Sequence, residues 1–263
     1  KAAHLFDIKV SKIKVRPDWT VDVEAMAAAI RPETILLVGS APQYPQGVVD
    51  DIPAIAALAS RAGVNCHVDA CMGGFVLPFA EKLGRVVPPW DFRVDGVTSI
   101  SADIHKLGYA PKGASVILHR DKRLRGYQTF VFDDWLGGFY ASPNLQGSRS
   151  GLPMAAAWAV MQHLGIDGYM RLTEDTLRNA DALRAGIKAI DGVQVLGEGA
   201  YHLVAMASDT KSSRPVDIFA VGDALLERGW FHDRQAPPDS LHWTVSNSNT
   251  GMIVQYLADL STA

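Results

Sequence analysis

Two side chains in the first half of the chain are of types that can hold a reactive ring compound. Asp69 closes the string "VNCHVDA", and Lys106 stands in "SADIHKLGYAPKG". A carboxylate at the end of an apolar run is costly unless a cation or strong donors meet it, and a protonated ring nitrogen is one partner that would suit. A lysine at the mouth of another apolar run offers an amine that a carbonyl compound can capture as a Schiff base. Taken singly, each has an ordinary reading: the Asp as a helix cap or turn former, the Lys as a solvated side chain. Both together, with glycines where a ligand needs close backbone approach, are a much rarer coincidence.

The elements that must position them alternate. Asp22 can cap a helix over "VEAMAAAI", "TILLVGS" reads as a strand buried on both faces, and "IPAIAALASRAG" as a helix with proline at its start and Gly63 after its end. "VNCHVDA", "GVTSISA" and "ASVILHR" read as further strands. Before all of these, the period-two spacing of Ile8, Val10, Ile13 and Val15 predicts a half-buried strand. Strands alternating with helices argue for an α/β fold with a mainly parallel sheet, in which ligands bind beyond the carboxyl ends of the strands. The polar segments "SAPQYPQG", "DACMGG" and "DIHKLGYAPKG" all follow such ends.

Farther on, the long connection "FVFDDWLGGFYASPNLQGSRSG" has the composition of a functional or interfacial loop. Helical spacing then runs through "LPMAAAWAVMQHLG" and from Asp167 to Ile190, and a smaller strand-and-helix domain follows from Gly192. The expected division is a large domain over 1–166, including the interface loop, and a C-terminal small α+β domain over 167–263. Composition narrows the function. A formal net charge of -3 excludes a broad phosphate-neutralising surface for nucleic acid, and no apolar run is long enough to span a membrane. Cys66 and Cys71 are too few for a disulfide scaffold and lack metal-site spacing, so no metal is expected and a cytoplasmic, reducing location is. No secretory signal is visible at Lys1, where the chain looks cut from something longer; a membrane anchor ahead of it stays open.

A strand-end Asp and a strand-end Lys together resemble the pyridoxal phosphate arrangement, in which the Lys holds the aldehyde and the Asp holds the pyridinium. Beyond that pair, "CHVDACMGGFVLPF", "DFRVDGVTSISADIHKLGYAPKGAS", "GSAPQYPQGVVDDI" and "DDWLGGFYASPNLQGSRSG" resemble the sphingosine-1-phosphate lyases, within the pyridoxal-phosphate decarboxylase-like group of the aspartate aminotransferase-like fold (fold type I). The resemblance runs from the first residues to about Leu260. It implies that Lys106 is the Schiff-base lysine, Asp69 the pyridinium partner, His105 a neighbour of the cofactor phosphate, and Cys71 the small residue packed near the ring. It also implies Tyr109 in the catalytic site, Lys112 on the substrate phosphate, and the segment of Gly137, Gly138 and Ser142 turned toward a neighbouring subunit's cofactor in a homodimer. The glycine-rich phosphate segment and ring-stacking histidine of these lyases would precede Lys1, so the chain is expected to be a fragment lacking an N-terminal part.

The residues themselves leave some readings open. Lys112, with Gly113 behind it, suits a phosphate as a point charge and equally suits a solvated loop. His67 shares a strand face with Asp69, as a support for it or as a satisfied core histidine. Tyr44 lines the crevice or packs a turn, while Cys66 reads as core and His163, His202, His232 and His242 as structural or surface groups. The expected activity is cleavage of a phosphorylated long-chain 2-amino-3-hydroxy compound to phosphoethanolamine and a long-chain aldehyde, with Lys106 or Tyr109 as the base. An amino-acid decarboxylase on the same scaffold and an inactive fragment serving only dimer assembly are the alternatives.

Overall fold

A computed structural model describes all residues from Lys1 to Ala263. A short α1 (Ala2–Leu5) is followed by α2 (Val23–Ala28), which starts where the Asp22 carboxylate accepts the Ala25 N–H at 2.9 Å. Then come β1 (Leu36–Ser40), α3 (Ile52–Ala62), β2 (Asn65–Asp69), α4 (Leu77–Lys82), β3 (Ser99–Ala102) and β4 (Val116–His119). Asp51 caps α3 through the Ala54 N–H, and Gly63 ends it in the left-handed region, at a φ that most side chains avoid. The strands form one sheet in sequence order, with β1, β2 and β3 parallel and β4 antiparallel at the edge. Leu37, Cys66, Val68 and Ile100 pack under this sheet against Ile52, Ile55 and Ala59 of α3.

The chain continues through α5 (Lys122–Gly126) and a hairpin of β5 (Phe130–Phe132) and β6 (Tyr140–Ser142) into the long α6 (Leu152–Lys188). That helix breaks at Gly165, whose φ of 58° and ψ of −172° are not helical. After it, β7 (Val193–Leu196), β8 (Leu203–Ser208), α7 (Ile218–Glu227), β9 (Asp233–Gln235), β10 (Ser240–Thr244) and α8 (Ile253–Leu260) complete the fold. The second sheet has the order β7-β8-β10-β9 and is antiparallel throughout. Leu183, Ile187, Val204, Leu225, Leu241 and Tyr256 form its core. No helix is long and apolar enough to cross a membrane.

Two local expectations give way. The alternation from Ile8 to Val15 makes no strand: apart from a single bridge between Val15 and Val21 it pairs with nothing, and Ile8, Val10 and Val15 are exposed. Side-chain period describes a face, whereas a strand also needs a neighbour to take its backbone hydrogen bonds. β1 is not buried on both faces, since α3 covers only the face of Leu37, and Leu36 and Val38 remain 44% and 46% exposed on the other.

Candidate active site

Because β1, β2 and β3 are parallel and in register, Ser40, Asp69 and Ser101 sit side by side at one edge of the sheet. Beyond them opens a cavity of about 680 Å³. Strand ends and the loops after them supply Ser40, Tyr44, Asp69, Cys71 and Met72, and the loop after β3 supplies Lys106, Leu107 and Tyr109. Asp233, Thr244 and Ser246, from the antiparallel sheet, close the other side. The loop after β2 passes so near β1 that a Cβ on Gly73 would lie 2.1 Å from the Ala41 carbonyl oxygen, so only glycine fits there.

Asp69 accepts the Cys71 N–H at 3.0 Å on Oδ1, with the Ser101 hydroxyl 3.4 Å from the same oxygen. Its Oδ2 has no hydrogen bond within the chain. Burial pushes the Cys71 thiol up to about 11, which leaves it protonated and able to donate to Ser101 Oγ at 3.3 Å. The lysine loop is organised by a residue that the sequence reading did not single out. Asp103 pairs with Lys106 Nζ at 3.0 Å, accepts the Ser115 hydroxyl and lies 3.8 Å from His105 Nε2. Burial alone would raise the Asp103 carboxyl, but the hydrogen bonds from Ser115 and Lys106 outweigh it and hold the group below the usual carboxylate range. The D-x-x-K spacing was the available signal, because residues three apart in one turn face each other.

Tyr109 is held at a φ of 59°, uncommon for a residue with a side chain and the kind of backbone strain found at working sites. The buried Tyr169 of α6 donates to the Gly108 carbonyl at 2.8 Å and stacks on Phe79, which pins the turn just before Tyr109. Burial raises the Tyr109 phenol above its ordinary value, against hydrogen bonds from Thr176 and the Asn247 backbone. Tyr44 is a further site residue: its hydroxyl accepts from Gln235 Nε2 at 3.1 Å and lies 3.5 Å from Asp233 Oδ2, and its ring meets His242 edge-on at 4.4 Å. A contact across 189 residues leaves no local trace in sequence.

The cavity thus brings together Asp69, Cys71, Lys106 and Tyr109. It does not include His105, Lys112 or Gly138 in its lining. His105 is folded back on the loop, its Nδ1 and its backbone N–H both on the Ala114 carbonyl. Lys112 is exposed beside Gly113, and Gly138 lies at the exposed tip of the β5–β6 hairpin, where its carbonyl accepts the Trp135 indole N–H.

The description "pyridoxal-dependent decarboxylase conserved domain" matches residues 1–207. The chain belongs to the pyridoxal-dependent decarboxylase family. Among its relatives, a sphingosine-1-phosphate lyase of Oryza sativa subsp. japonica is 43% identical over 260 residues, which cover 99% of this chain and 47% of the relative. An L-aspartate/L-glutamate decarboxylase of Pyrococcus horikoshii is 37% identical over 230 residues, 88% of this chain and 58% of the relative. Among solved structures, the sphingosine-1-phosphate lyase of Burkholderia pseudomallei superposes with a TM-score of 0.94 at 41% identity, covering 99% of this chain and 59% of that one. The chain spans about half the length of the curated relatives it matches, and its fold is that of the fold type I pyridoxal-phosphate enzymes.

Membership in this family implies pyridoxal 5′-phosphate. The donor set fits the ring end of that cofactor: one primary amine and one carboxylate with a free oxygen face the same cavity, and small Ser40 and Cys71 leave room between them. Asp69 would hold the ring nitrogen and Lys106 the aldehyde carbon.

Proposed function

We propose that the chain carries the lysine-bearing part of a pyridoxal-phosphate-dependent carbon–carbon lyase acting on sphingosine 1-phosphate or related phosphorylated sphingoid bases, with phosphoethanolamine and a long-chain aldehyde as products. The convergence of Lys106 and Asp69 on one cavity is the observation that carries the cofactor chemistry. For the substrate class, support comes from the identity of 43% to a sphingosine-1-phosphate lyase, above the 37% to an amino-acid decarboxylase.

When bound, the cofactor supplies a carbonyl that captures an amine and a ring that accepts an electron pair. The residues of the chain do the rest. Lys106 presents its amine from the mouth of β3, steadied by Asp103 at 3.0 Å, and would hold the cofactor aldehyde from there. Asp69, with Oδ1 held by the Cys71 N–H, would offer Oδ2 to a protonated ring nitrogen and so keep the ring electron-poor. Lys106 and Tyr109, which both line the cavity, are assigned as the candidate bases for the proton of the substrate 3-hydroxyl. Lys112, at the loop's outer rim, is assigned to the substrate phosphate as a point charge, and His105 to the cofactor phosphate side of the same loop.

A homodimer accords with the hairpin, where Trp135, Leu136, Phe139 and Tyr140 are all exposed and a second copy would cover them. Gly138 is assigned to the contact with that copy's cofactor. Both cysteines are free, in keeping with a cytoplasmic location. Product analysis tests the activity: an aldehyde from a phosphorylated sphingoid base supports the lyase, and carbon dioxide from an amino acid would replace it with a decarboxylase.

A further inference from the structure

Behind Asp69 runs a chain of hydrogen bonds that the reaction as derived does not use. His67 precedes Asp69 by two on β2, so both side chains rise from one face of the sheet, and Ser99 and Ser101 rise beside them from β3 in parallel register. The imidazole bridges the two serines, with Nδ1 2.8 Å from Ser99 Oγ and Nε2 3.1 Å from Ser101 Oγ. Ser101 Oγ is in turn 3.4 Å from Asp69 Oδ1 and receives the Cys71 thiol at 3.3 Å.

The directions of these bonds follow from counting protons. Burial pushes the His67 pKa down, against the pull of Asp69, so the ring is neutral near pH 7 with one N–H and one lone pair. Suppose Nδ1 carried the hydrogen. Nε2 would then need the single Ser101 hydrogen, and Ser101 Oγ would face Asp69 Oδ1 as lone pair against lone pair. With the hydrogen on Nε2, every group is satisfied: Ser99 donates to Nδ1, Nε2 donates to Ser101, and Ser101 donates to Asp69.

We propose that His67 is a positioning residue which fixes the Ser101 hydroxyl as a donor to Asp69 Oδ1, so that the carboxylate is held with Oδ2 aimed at the ring nitrogen of the cofactor. This rests on Asp69 being the ring's partner. A Ser101 hydroxyl released from His67 can turn to accept, and Asp69 then loses one of its two anchors.

The test uses the purified protein loaded with pyridoxal phosphate, with turnover of a phosphorylated sphingoid base and the visible absorption bands of the bound cofactor measured at one fixed pH. Ser101→Ala and His67→Leu are expected to lower kcat roughly tenfold, the effect of one well-placed hydrogen bond, with KM changed less than about twofold. Both are expected to move the cofactor bands in the direction set by Asp69→Asn, by a smaller amount. Ser101→Thr, which keeps the hydroxyl, is expected to restore both readouts. Normal kcat and bands in Ser101→Ala, or a Ser101→Thr as impaired as Ser101→Ala, would overturn the proposal while a crippled Asp69→Asn leaves the reading of Asp69 intact. An Asp69→Asn with normal bands and turnover would overturn both.

Discussion

The two sheets surround their histidines differently. On the parallel sheet, His67 has a partner for each nitrogen and shares a strand face with Asp69, which lines the cavity. At the antiparallel sheet, His202, just before β8, has no exposure and neither ring nitrogen hydrogen-bonded, and His232, just before β9, has only Nε2 paired, with the Trp243 indole, while His242 of β10 meets the Pro45 carbonyl and the Thr244 hydroxyl. Burial lowers His67 as well, and drives His202 to about 3 and His232 and His242 to about 4. The polar groups of the first sheet gather at the cavity, and the second sheet sends Asp233 and Thr244 to the same cavity while it encloses His202 and His232 in packing. The proposed chemistry draws on the cavity-facing groups and stability on the enclosed ones.

That contrast is broken or sharpened by graded substitutions. The largest effect is expected at Lys106→Ala, which should abolish turnover and remove the borohydride-fixed cofactor label from this peptide; peptide mapping after reduction checks it, and appreciable residual turnover in intact protein removes Lys106 from its role. Next is Leu225→Ala in the fully buried core of the second sheet, expected to cost about 2–5 kcal/mol in urea unfolding while activity per folded molecule stays normal. A loss of activity out of proportion to unfolding would blur the division between the sheets.

Acid should destabilise the whole fold through the histidines of the second sheet. Its histidines are neutral when folded and free to protonate when unfolded, so the unfolded state binds more protons between about pH 6.5 and pH 4 and stability falls as pH drops through that window. Each such histidine contributes a slope of about 1.4 kcal/mol per pH unit. Melting temperature followed against pH reads this, and His242→Gln should flatten the curve; an unchanged slope would argue against its burial as the neutral form.

Lys112→Gln is expected to raise KM for the phosphorylated substrate about tenfold, as for one charge-assisted hydrogen bond, with kcat little changed. Steady-state kinetics decide it, and an unchanged KM returns Lys112 to the solvent. The smallest effect belongs to Tyr169→Phe, which loses the bond to the Gly108 carbonyl and should cost about 1 kcal/mol in urea unfolding.

The strands carrying Asp69 and preceding Lys106 were legible because an apolar run that stops at a charged residue is a local pattern. Asp103 was also within reach by spacing. What was not legible depends on neighbours distant in sequence. Asp233, Thr244 and Ser246 reach the cavity only because the second sheet folds against the first, and Ile8 to Val15 fail as a strand only because no partner lies beside them.

The helix between the sheets serves both. On the far side of Gly165, Leu177 packs into the first core, and Ala180, Leu183 and Ile187, within three turns of it, pack into the second. Neither sheet can lose its packing without stripping a face from the same short rod. Heating the protein should therefore give one endotherm rather than two, with the cavity's two walls, one from each sheet, lost in the same event.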